Sequence, residues 1–401
     1  MQRILVLIAT LISVGIAKAA QPTPQHVSTQ ISHQNVELTY YEAGASKLPA
    51  AGTILYLCGG PGIACSNYLL PDSIPPEFNV VYFDYIGLGT NGQYQDLDLI
   101  DFQAQGEAIS VIFHEIKDSK VIIYGHSFGT TLATVAASLI SNQADPKLKA
   151  VVLEGTVGPG LHEQTSGYLN VEANTWNLLS NNEKQTFVGA VSEFSRALDA
   201  KQKYGLNLYL TLSLSSGADG AAEILKQFSA DVKSSPAAIM GYIDIYNSVY
   251  QSLFSMKMAS VLGCQIFQNP TRNQQTLFGG SVVLNDGFPV EFCSFPQIQN
   301  KWDPAKYQII NNVPIFYAQG SLDPNTPLNW AKEHFASQTS SGKKLMFISV
   351  DGGHDLLEKN SPLANYSNLI FSELIQDRYQ ELQIYLEREA HVNPKIAIFA
   401  N

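Results

Sequence analysis

The chain has 401 residues, of which 45% are hydrophobic and 15% are charged, a balance typical of a folded globular protein with a large core. Its formal net charge is −11 and the sequence contains no basic run, so nucleic acid and anionic membrane surfaces are excluded as expected partners. The composition does not specify an oligomeric state.

The first 19 residues differ from the rest of the chain. Arg3 supplies a positive charge, residues 4–17 form an apolar run, and the small residues at 17 and 19 offer a cleavage site. This pattern is typical of a secretory signal peptide, and the run is shorter than the roughly 20 residues of a membrane span. An uncleaved N-terminal anchor is the alternative. We expect a secreted or periplasmic protein without stable membrane insertion after signal cleavage.

Residues 20–156 alternate strand-like runs with a helical stretch. The helical stretch, 102–116, carries apolar residues at the spacing of one helix face. The strand-like runs are short and mostly apolar: 27–32, 36–42, 53–57, 79–85, 121–124 and 148–153. The later runs are nearly continuously apolar, as in strands that are buried on both faces. We therefore predict an α/β fold with a mostly parallel sheet covered by helices on both faces.

The loop at 58–62, Cys-Gly-Gly-Pro-Gly, follows the third predicted strand. Consecutive glycines allow a backbone N–H to approach a substrate closely and to stabilise an oxyanion. We assign this donor to Gly60, or to Gly59 if the turn is shifted by one residue. A plain Gly-Pro turn is the alternative.

A Gly-x-Ser-x-Gly sequence at 125–129 joins the strand 121–124 to a helical stretch at 132–140. This is the context of a nucleophile elbow, in which a strained turn presents a serine hydroxyl and the glycines let strand and helix approach closely. Ser127 is the candidate nucleophile, and the N–H of Phe128 is a second candidate oxyanion donor. Taken alone, the motif leaves open a chance match in a surface turn.

A block at 157–311 interrupts the alternation. It is mostly helical in character, as at 182–204 and 237–256, and it lacks strong strand runs. We interpret it as a helical cap inserted between two parts of one core, 20–156 and 312–401, because two independent domains in series would leave the sheet incomplete.

Four cysteines permit two disulfides in an oxidising compartment, with three possible connectivities. We favour Cys58–Cys65 and Cys264–Cys293, because each pair closes a modest loop. A zinc site is the alternative, but no Cys-x-x-Cys pair or adjacent histidines support it.

Beyond the block, strands are predicted at 313–317 and 344–350 and a long helix at 362–388. A serine nucleophile needs a histidine base, and that histidine needs a carboxylate that orients it. Asp323 lies on a turn-rich loop after the first of these strands, and His354 occupies the matching place after the second. The order serine, acid, histidine completes a predicted triad.

Other acids and histidines fit less well. Asp351 and Asp355 flank His354 too closely in sequence to orient its ring, so we interpret them as turn or cap residues. We expect His126 to point away from Ser127 and to have a packing role. The remaining candidates are interpreted as surface or core histidines: His114, His162 and His334.

Together these motifs resemble the α/β-hydrolase family, and most of all its proline iminopeptidase and tripeptidyl-aminopeptidase branch. The matching stretches are Gly-Gly-Pro-Gly at 59–62, Asp-Tyr-Ile-Gly-Leu-Gly at 84–89, Gly-His-Ser-Phe-Gly at 125–129, Gly-Ser-Leu-Asp-Pro-Asn-Thr-Pro at 320–327 and Gly-Gly-His at 352–354. The resemblance covers the core on both sides of the block and does not extend to the block itself. Cys58 stands where the loop of this branch begins with histidine.

The resemblance implies a substrate with a free N-terminus, whose ammonium group needs an anionic partner. Glu154 follows the strand 148–153, at a position where the tripeptidyl-aminopeptidase relatives carry an acid. It is the candidate amine anchor. A strand-end carboxylate that makes a turn contact is the alternative, and Glu172 or Glu193 in the block could serve instead.

We therefore expect an exported serine hydrolase that releases N-terminal proline or short peptides and needs no metal or organic cofactor. Its expected partner is a small peptide or ester substrate. A carboxylesterase or lipase with the same triad is the alternative, supported by the apolar stretch at 239–256. A non-catalytic binding protein of the same fold is the second alternative.

Overall fold

The computed structural model describes residues 22–67, 70, 74–159, 165–237, 239–241, 243, 273–278, 282–286, 301–357 and 363–400. The predicted signal peptide, His162 and the predicted Cys264–Cys293 disulfide lie outside these residues. Among the helices that they form, none combines the length and the apolar character needed to cross a membrane.

The strands are bounded as follows: β1 Thr23–Ile31, β2 Gln34–Ala43, β3 Gly52–Leu57, β4 Phe78–Phe83, β5 Val121–His126, β6 Leu148–Glu154, β7 Asn273–Leu277, β8 Val282–Asp286, β9 Ile315–Gly320, β10 Lys344–Ser349 and β11 Ile396–Ala400. In the described chain, β1-β2-β4-β3-β5-β6-β9-β10-β11 form one sheet in that order, and β7 and β8 form a separate hairpin. The six strands from β4 to β10 in this order are parallel to one another. The predicted mostly parallel sheet is confirmed.

The helices are bounded as follows: α1 Leu97–Ile100, α2 Phe102–Glu115, α3 Gly129–Asn142, α4 Thr165–Leu178, α5 Asn181–Arg196, α6 Ala200–Ser213, α7 Gly217–Ser234, α8 Leu328–Ser337, α9 Ala364–Ile375 and α10 Tyr379–Val392. Helices cover both faces of the sheet. Neighbouring residues of a strand point to opposite faces. Tyr124 of β5 packs on Phe371 of α9, whereas Gly125 lies against Ala133 of α3.

Helices α4 to α7 lie in the chain between β6 and β9 and have an apolar cluster of their own. Its largest side chains include Phe187, Phe228 and Phe278. The predicted helix at 182–204 is two helices, because Asp199 forms a capping box with Gln202 and starts α6. The β7–β8 hairpin was not predicted, since Asn273–Leu277 is polar and gives little strand signal.

The C-terminal region also differs from the prediction. The long helix expected at 362–388 is divided into α9 and α10, because Asp377 adopts a left-handed conformation with φ of 60° that a helix cannot continue through. Strand β11 follows and pairs antiparallel with β10. It was missed because its position at the sheet edge is set by a partner more than 45 residues earlier in the chain.

Candidate active site

Ser127 occupies a strained turn between β5 and α3. Its φ is 53°, in the left-handed region, and its amide donates to the carbonyl of Glu154 at 2.8 Å. A Cβ atom on Gly125 would lie 2.5 Å from the carbonyl oxygen of Gly129, and one on Gly129 would lie 2.1 Å from the oxygen of Leu57. Both glycines are therefore required by close backbone contacts, as a nucleophile elbow demands.

Asp323 lies on the loop after β9 and its side chain is fully buried. Its Oδ1 accepts from the backbone amides of Asn325 and Thr326 at 2.8 and 3.0 Å. Its Oδ2 accepts from the Thr326 hydroxyl at 2.6 Å and from Gln319 Nε2 at 3.1 Å. These hydrogen bonds hold the carboxylate in one orientation.

His354 lies on the loop after β10, and its Nδ1 donates to Asp323 Oδ2 at 2.8 Å. The contact places the proton on Nδ1 and leaves Nε2 as an acceptor. Burial lowers the pKa of His354, but the charge and hydrogen bond of Asp323 outweigh it, so the pKa lies above its ordinary value. Such a histidine is suited to take a proton from a hydroxyl group.

The sheet brings these loops together at the carboxyl ends of its strands, since β5, β6, β9 and β10 are parallel neighbours. A Cβ on Gly155, the residue after β6, would lie 2.8 Å from His354 Cε1. The preceding residue, Glu154, accepts the Ser127 amide. The loops of Asp323 and His354 are also joined directly, because the Leu322 amide donates to the Gly352 carbonyl at 3.0 Å.

The Gly-rich loop at 59–62 lies inside the disulfide Cys58–Cys65, so this predicted pairing is confirmed. The hydroxyl of Tyr85 donates to the Cys58 carbonyl at 2.6 Å. At the other end, the buried carboxylate of Asp84 accepts from the Ser66 amide and hydroxyl at 2.7 and 2.9 Å. Both ends of the loop are therefore anchored to the segment after β4.

The predicted oxyanion donors belong to the residue after Ser127 and to the glycine-rich loop. Phe128 is the residue before α3, and within the described chain its N–H donates to no protein acceptor. A Cβ on Gly59 would lie 3.2 Å from Ser127 Cβ, which places this part of the loop directly against the serine. Gly60, the next residue, has a φ of 139° that glycine adopts readily.

Glu154 has contacts that favour the structural alternative over an amine anchor. It is only 2% exposed, and the Tyr124 hydroxyl donates to its Oε2. Its Oε1 accepts from the amides of Leu356 and Leu357 at 2.5 and 2.6 Å. The carboxylate therefore binds the loop that follows His354. This geometry does not support its predicted role as the partner of a substrate ammonium group.

Residues between β6 and β9 also contact the site, which no sequence pattern indicated. The His354 amide donates to the carbonyl of Ser215, in the 3₁₀ turn Leu214–Ser216 between α6 and α7, at 2.7 Å. Asn325, beside the acid, donates to the Ser215 hydroxyl at 2.9 Å and accepts from the Tyr168 hydroxyl. No local pattern signals a contact between residues so far apart in sequence.

His126 differs from its expected packing role. Its ring lies beside that of His354, with centroids 5.0 Å apart, and its Nε2 is 3.2 Å from Asp355 Oδ1. Asp355, expected to be a turn residue, thus forms a second histidine–carboxylate pair next to the first. The signal for it was a histidine directly before Ser127 and an acid directly after His354.

The remaining described histidines agree with their expected surface or core positions. His334 is fully buried and contacts the hydroxyls of Thr134 and Tyr317 at 3.0 Å each. Burial lowers the pKa of His334 to about 3, so the ring is neutral. His114 is partly exposed and lies 3.4 Å from Asp145.

Comparison with known proteins agrees with this architecture. The model of the alpha/beta hydrolase fold family matches residues 52–361, more than half of the chain. The chain therefore belongs to the alpha/beta hydrolase fold family, and the predicted fold class is confirmed.

More specific similarities are local or distant. A proline iminopeptidase from Heyndrickxia coagulans is 31% identical over 80 residues, which are 20% of this chain and 28% of that protein's length. A solved bromoperoxidase from Bacillus anthracis is 15% identical, with a TM-score of 0.43 over 90% of this chain and 100% of its own. A proline iminopeptidase from Mycobacterium smegmatis is 11% identical, with a TM-score of 0.43 over 89% and 100%.

Proposed function

We propose that this chain is an exported serine hydrolase in which Ser127, His354 and Asp323 form the catalytic triad. The observation that carries the proposal is the 2.8 Å hydrogen bond from His354 Nδ1 to a buried, fully hydrogen-bonded carboxylate, at the sheet edge where the strained Ser127 turn lies. Export rests on the signal-like residues 1–19.

In the proposed reaction, Ser127 Oγ attacks the substrate carbonyl carbon and its proton passes to His354 Nε2. The N–H groups of Phe128 and Gly60 stabilise the oxyanion of the tetrahedral intermediate. Collapse breaks the bond to the leaving group, which takes the proton from His354. A water molecule then attacks the acyl-enzyme in the same way, with His354 as the base. The acyl group leaves as a carboxylic acid and Ser127 regains its proton. Asp323 orients His354 and stabilises its cation throughout.

We propose short peptides with a free N-terminus, proline among them, as the substrates. The support is the local similarity to a proline iminopeptidase and the Gly-Gly-Pro-Gly loop that resembles this branch. The anion for the substrate ammonium then comes from a residue other than Glu154. In the block, Glu172 Oε1 already accepts from the Phe278 amide at 2.8 Å, whereas Glu193 is exposed.

A carboxylesterase with the same triad is the second candidate. The observation that favours it is the engagement of Glu154, whose two oxygens accept from Tyr124, Leu356 and Leu357. An ester substrate needs no ammonium partner, so the loss of this anchor does not weaken the esterase candidate.

Purified protein and the Ser127→Ala variant should be assayed on proline anilide, on its N-acetylated form and on a short-chain aryl ester. Cleavage of the free-amine anilide alone, abolished in the variant, is the result expected of an aminopeptidase. Ester turnover without anilide cleavage would replace the aminopeptidase with the esterase. No turnover together with no covalent labelling of Ser127 by a fluorophosphonate would refute the serine hydrolase.

A further inference from the structure

The side chains of His126, His354 and Asp355 lie close together beside the Ser127 turn. We call these three side chains the histidine cluster. One nitrogen or oxygen from each lies within 4.8 Å of those from the other two. His126 Nε2 and Asp355 Oδ1 are 3.2 Å apart, and the two imidazole rings lie 5.0 Å from each other. The triad uses only His354 from this cluster.

Two imidazoles and one carboxylate are the donor set of zinc sites that have three protein ligands and an open fourth position. Zinc bonds of about 2.1 Å place tetrahedral ligand atoms about 3.4 Å apart. The distance from His126 Nε2 to Asp355 Oδ1 is 3.2 Å, and all three ligand atoms lie within 4.8 Å of one another. Nitrogen donors also favour zinc over magnesium and calcium, which prefer oxygen ligands.

The surroundings of His354 strengthen this assignment. Its Nδ1 donates to Asp323 at 2.8 Å, which leaves Nε2 for a metal ion. A ligating histidine whose other nitrogen donates to a carboxylate is the usual arrangement around protein-bound zinc, because the carboxylate fixes the ring and makes the ligand more basic. In this chain the hydrogen bond from His354 Nδ1 to Asp323 provides that contact.

An ion can reach the cluster without unfolding of the chain. The Asp355 side chain is 44% exposed, whereas those of His126 and His354 are 18% and 8% exposed. The exposed carboxylate therefore meets an incoming cation first, and the two imidazoles complete the site.

We propose that the histidine cluster binds Zn²⁺ through His126, Asp355 and His354 Nε2, and that the bound ion inhibits the enzyme. The ion occupies the lone pair that would accept the Ser127 proton, so the serine is not activated while zinc is bound. The inhibition rests on the proposed function, because it takes His354 as the base. The binding of the ion does not depend on it.

Two measurements test this. Zinc affinity is measured by competition with a chromophoric zinc chelator, and the labelling rate of Ser127 by a fluorophosphonate is measured with and without micromolar Zn²⁺. We expect zinc to slow labelling at least about 10-fold, with recovery on addition of EDTA and no effect of Mg²⁺. In Asp355→Asn and His126→Gln the affinity should fall at least about 10-fold, and the ratio of the two labelling rates should approach one.

Asp351→Asn is the matched control, since Asp351 also lies beside His354 in sequence, is outside the cluster and has a φ of 63° that asparagine tolerates. It should keep both the zinc affinity and the inhibition. The proposal would be overturned if zinc neither binds nor slows labelling, or if both cluster variants bind zinc as tightly as the unsubstituted protein does. If the zinc-free protein is never labelled at Ser127, the proposed function is refuted. The competition with the chelator would still show whether the histidine cluster binds zinc.

Discussion

Two histidine–aspartate pairs lie side by side at the carboxyl ends of the parallel strands. They differ in the distance between their atoms and in the burial of the carboxylate. In the His354–Asp323 pair the atoms are 2.8 Å apart and the carboxylate is fully buried among other donors. In the His126–Asp355 pair they are 3.2 Å apart and the carboxylate is 44% exposed. An exposed ion pair contributes little and is free to rearrange. The buried network is what makes the first pair an orienting device.

The largest expected effect comes from removing one carboxylate of each pair in turn. Asp323→Asn should lower kcat by about 10⁴-fold, because the amide cannot hold the tautomer that leaves His354 Nε2 as an acceptor. Asp355→Asn should lower kcat less than about 10-fold, since its partner is His126 and exposed pairs are weak. Steady-state kinetics of the two variants measures the contrast, and similar losses in both would contradict it.

The next largest effect concerns the strained turn that carries Ser127. Gly129→Ala should destabilise the fold by about 3 kcal/mol or more, because the new Cβ would lie 2.1 Å from the Leu57 oxygen. Denaturant unfolding measures this change. Gly189→Ala, on exposed helix surface with no atom within 4 Å, is the control and should stabilise by up to about 1 kcal/mol. Equal effects would show that the elbow is not tightly packed.

A smaller effect is expected from Glu154, which supports the loop that carries one member of each pair. Glu154→Gln should cost about 1–2 kcal/mol of stability, because the amide replaces one of the oxygens that accept from Tyr124, Leu356 and Leu357. It should lower turnover of the free-amine anilide and the rate of Ser127 labelling by a fluorophosphonate, which carries no ammonium group, by the same factor. A loss confined to the free-amine substrate would restore the amine-anchor role.

The smallest effect is a shift in the pH profile. Since Asp323 raises the pKa of His354 and only the neutral ring accepts a proton, kcat/KM should fall on acidification with a midpoint above 6.5. Activity is present above that midpoint and lost below it. The positive charge of His126 opposes protonation of His354, so His126→Gln should raise the midpoint. An unchanged midpoint in this variant would show that the two pairs do not interact.

The proposed triad could be predicted from sequence because each member follows its own strand. Ser127, Asp323 and His354 come after β5, β9 and β10, and parallel strands that end at one edge bring such residues together without further information. The elbow glycines were predicted for the same reason, since the turn itself requires them. Local pattern and chain order were sufficient for these residues.

The role of Glu154 was not accessible in this way. Its carboxylate contacts backbone amides that lie 202 and 203 residues further along the chain. Sequence showed an acid at a strand end, which is compatible with a ligand for substrate or with a support for a loop. Only the packing of the His354 loop against β6 distinguishes the two, and it favours the support.

By itself, therefore, the sequence determined the fold class and the order of the proposed triad and favoured the Cys58–Cys65 disulfide, because each depends on periodicity, strand ends or short spacing. Tertiary structure alone decided that Ser215 of the inserted turn holds the His354 amide and that His126 and Asp355 form a second pair beside the first. Those contacts join loops that are distant in the chain, and their geometry follows from how the loops pack. No local pattern records that packing.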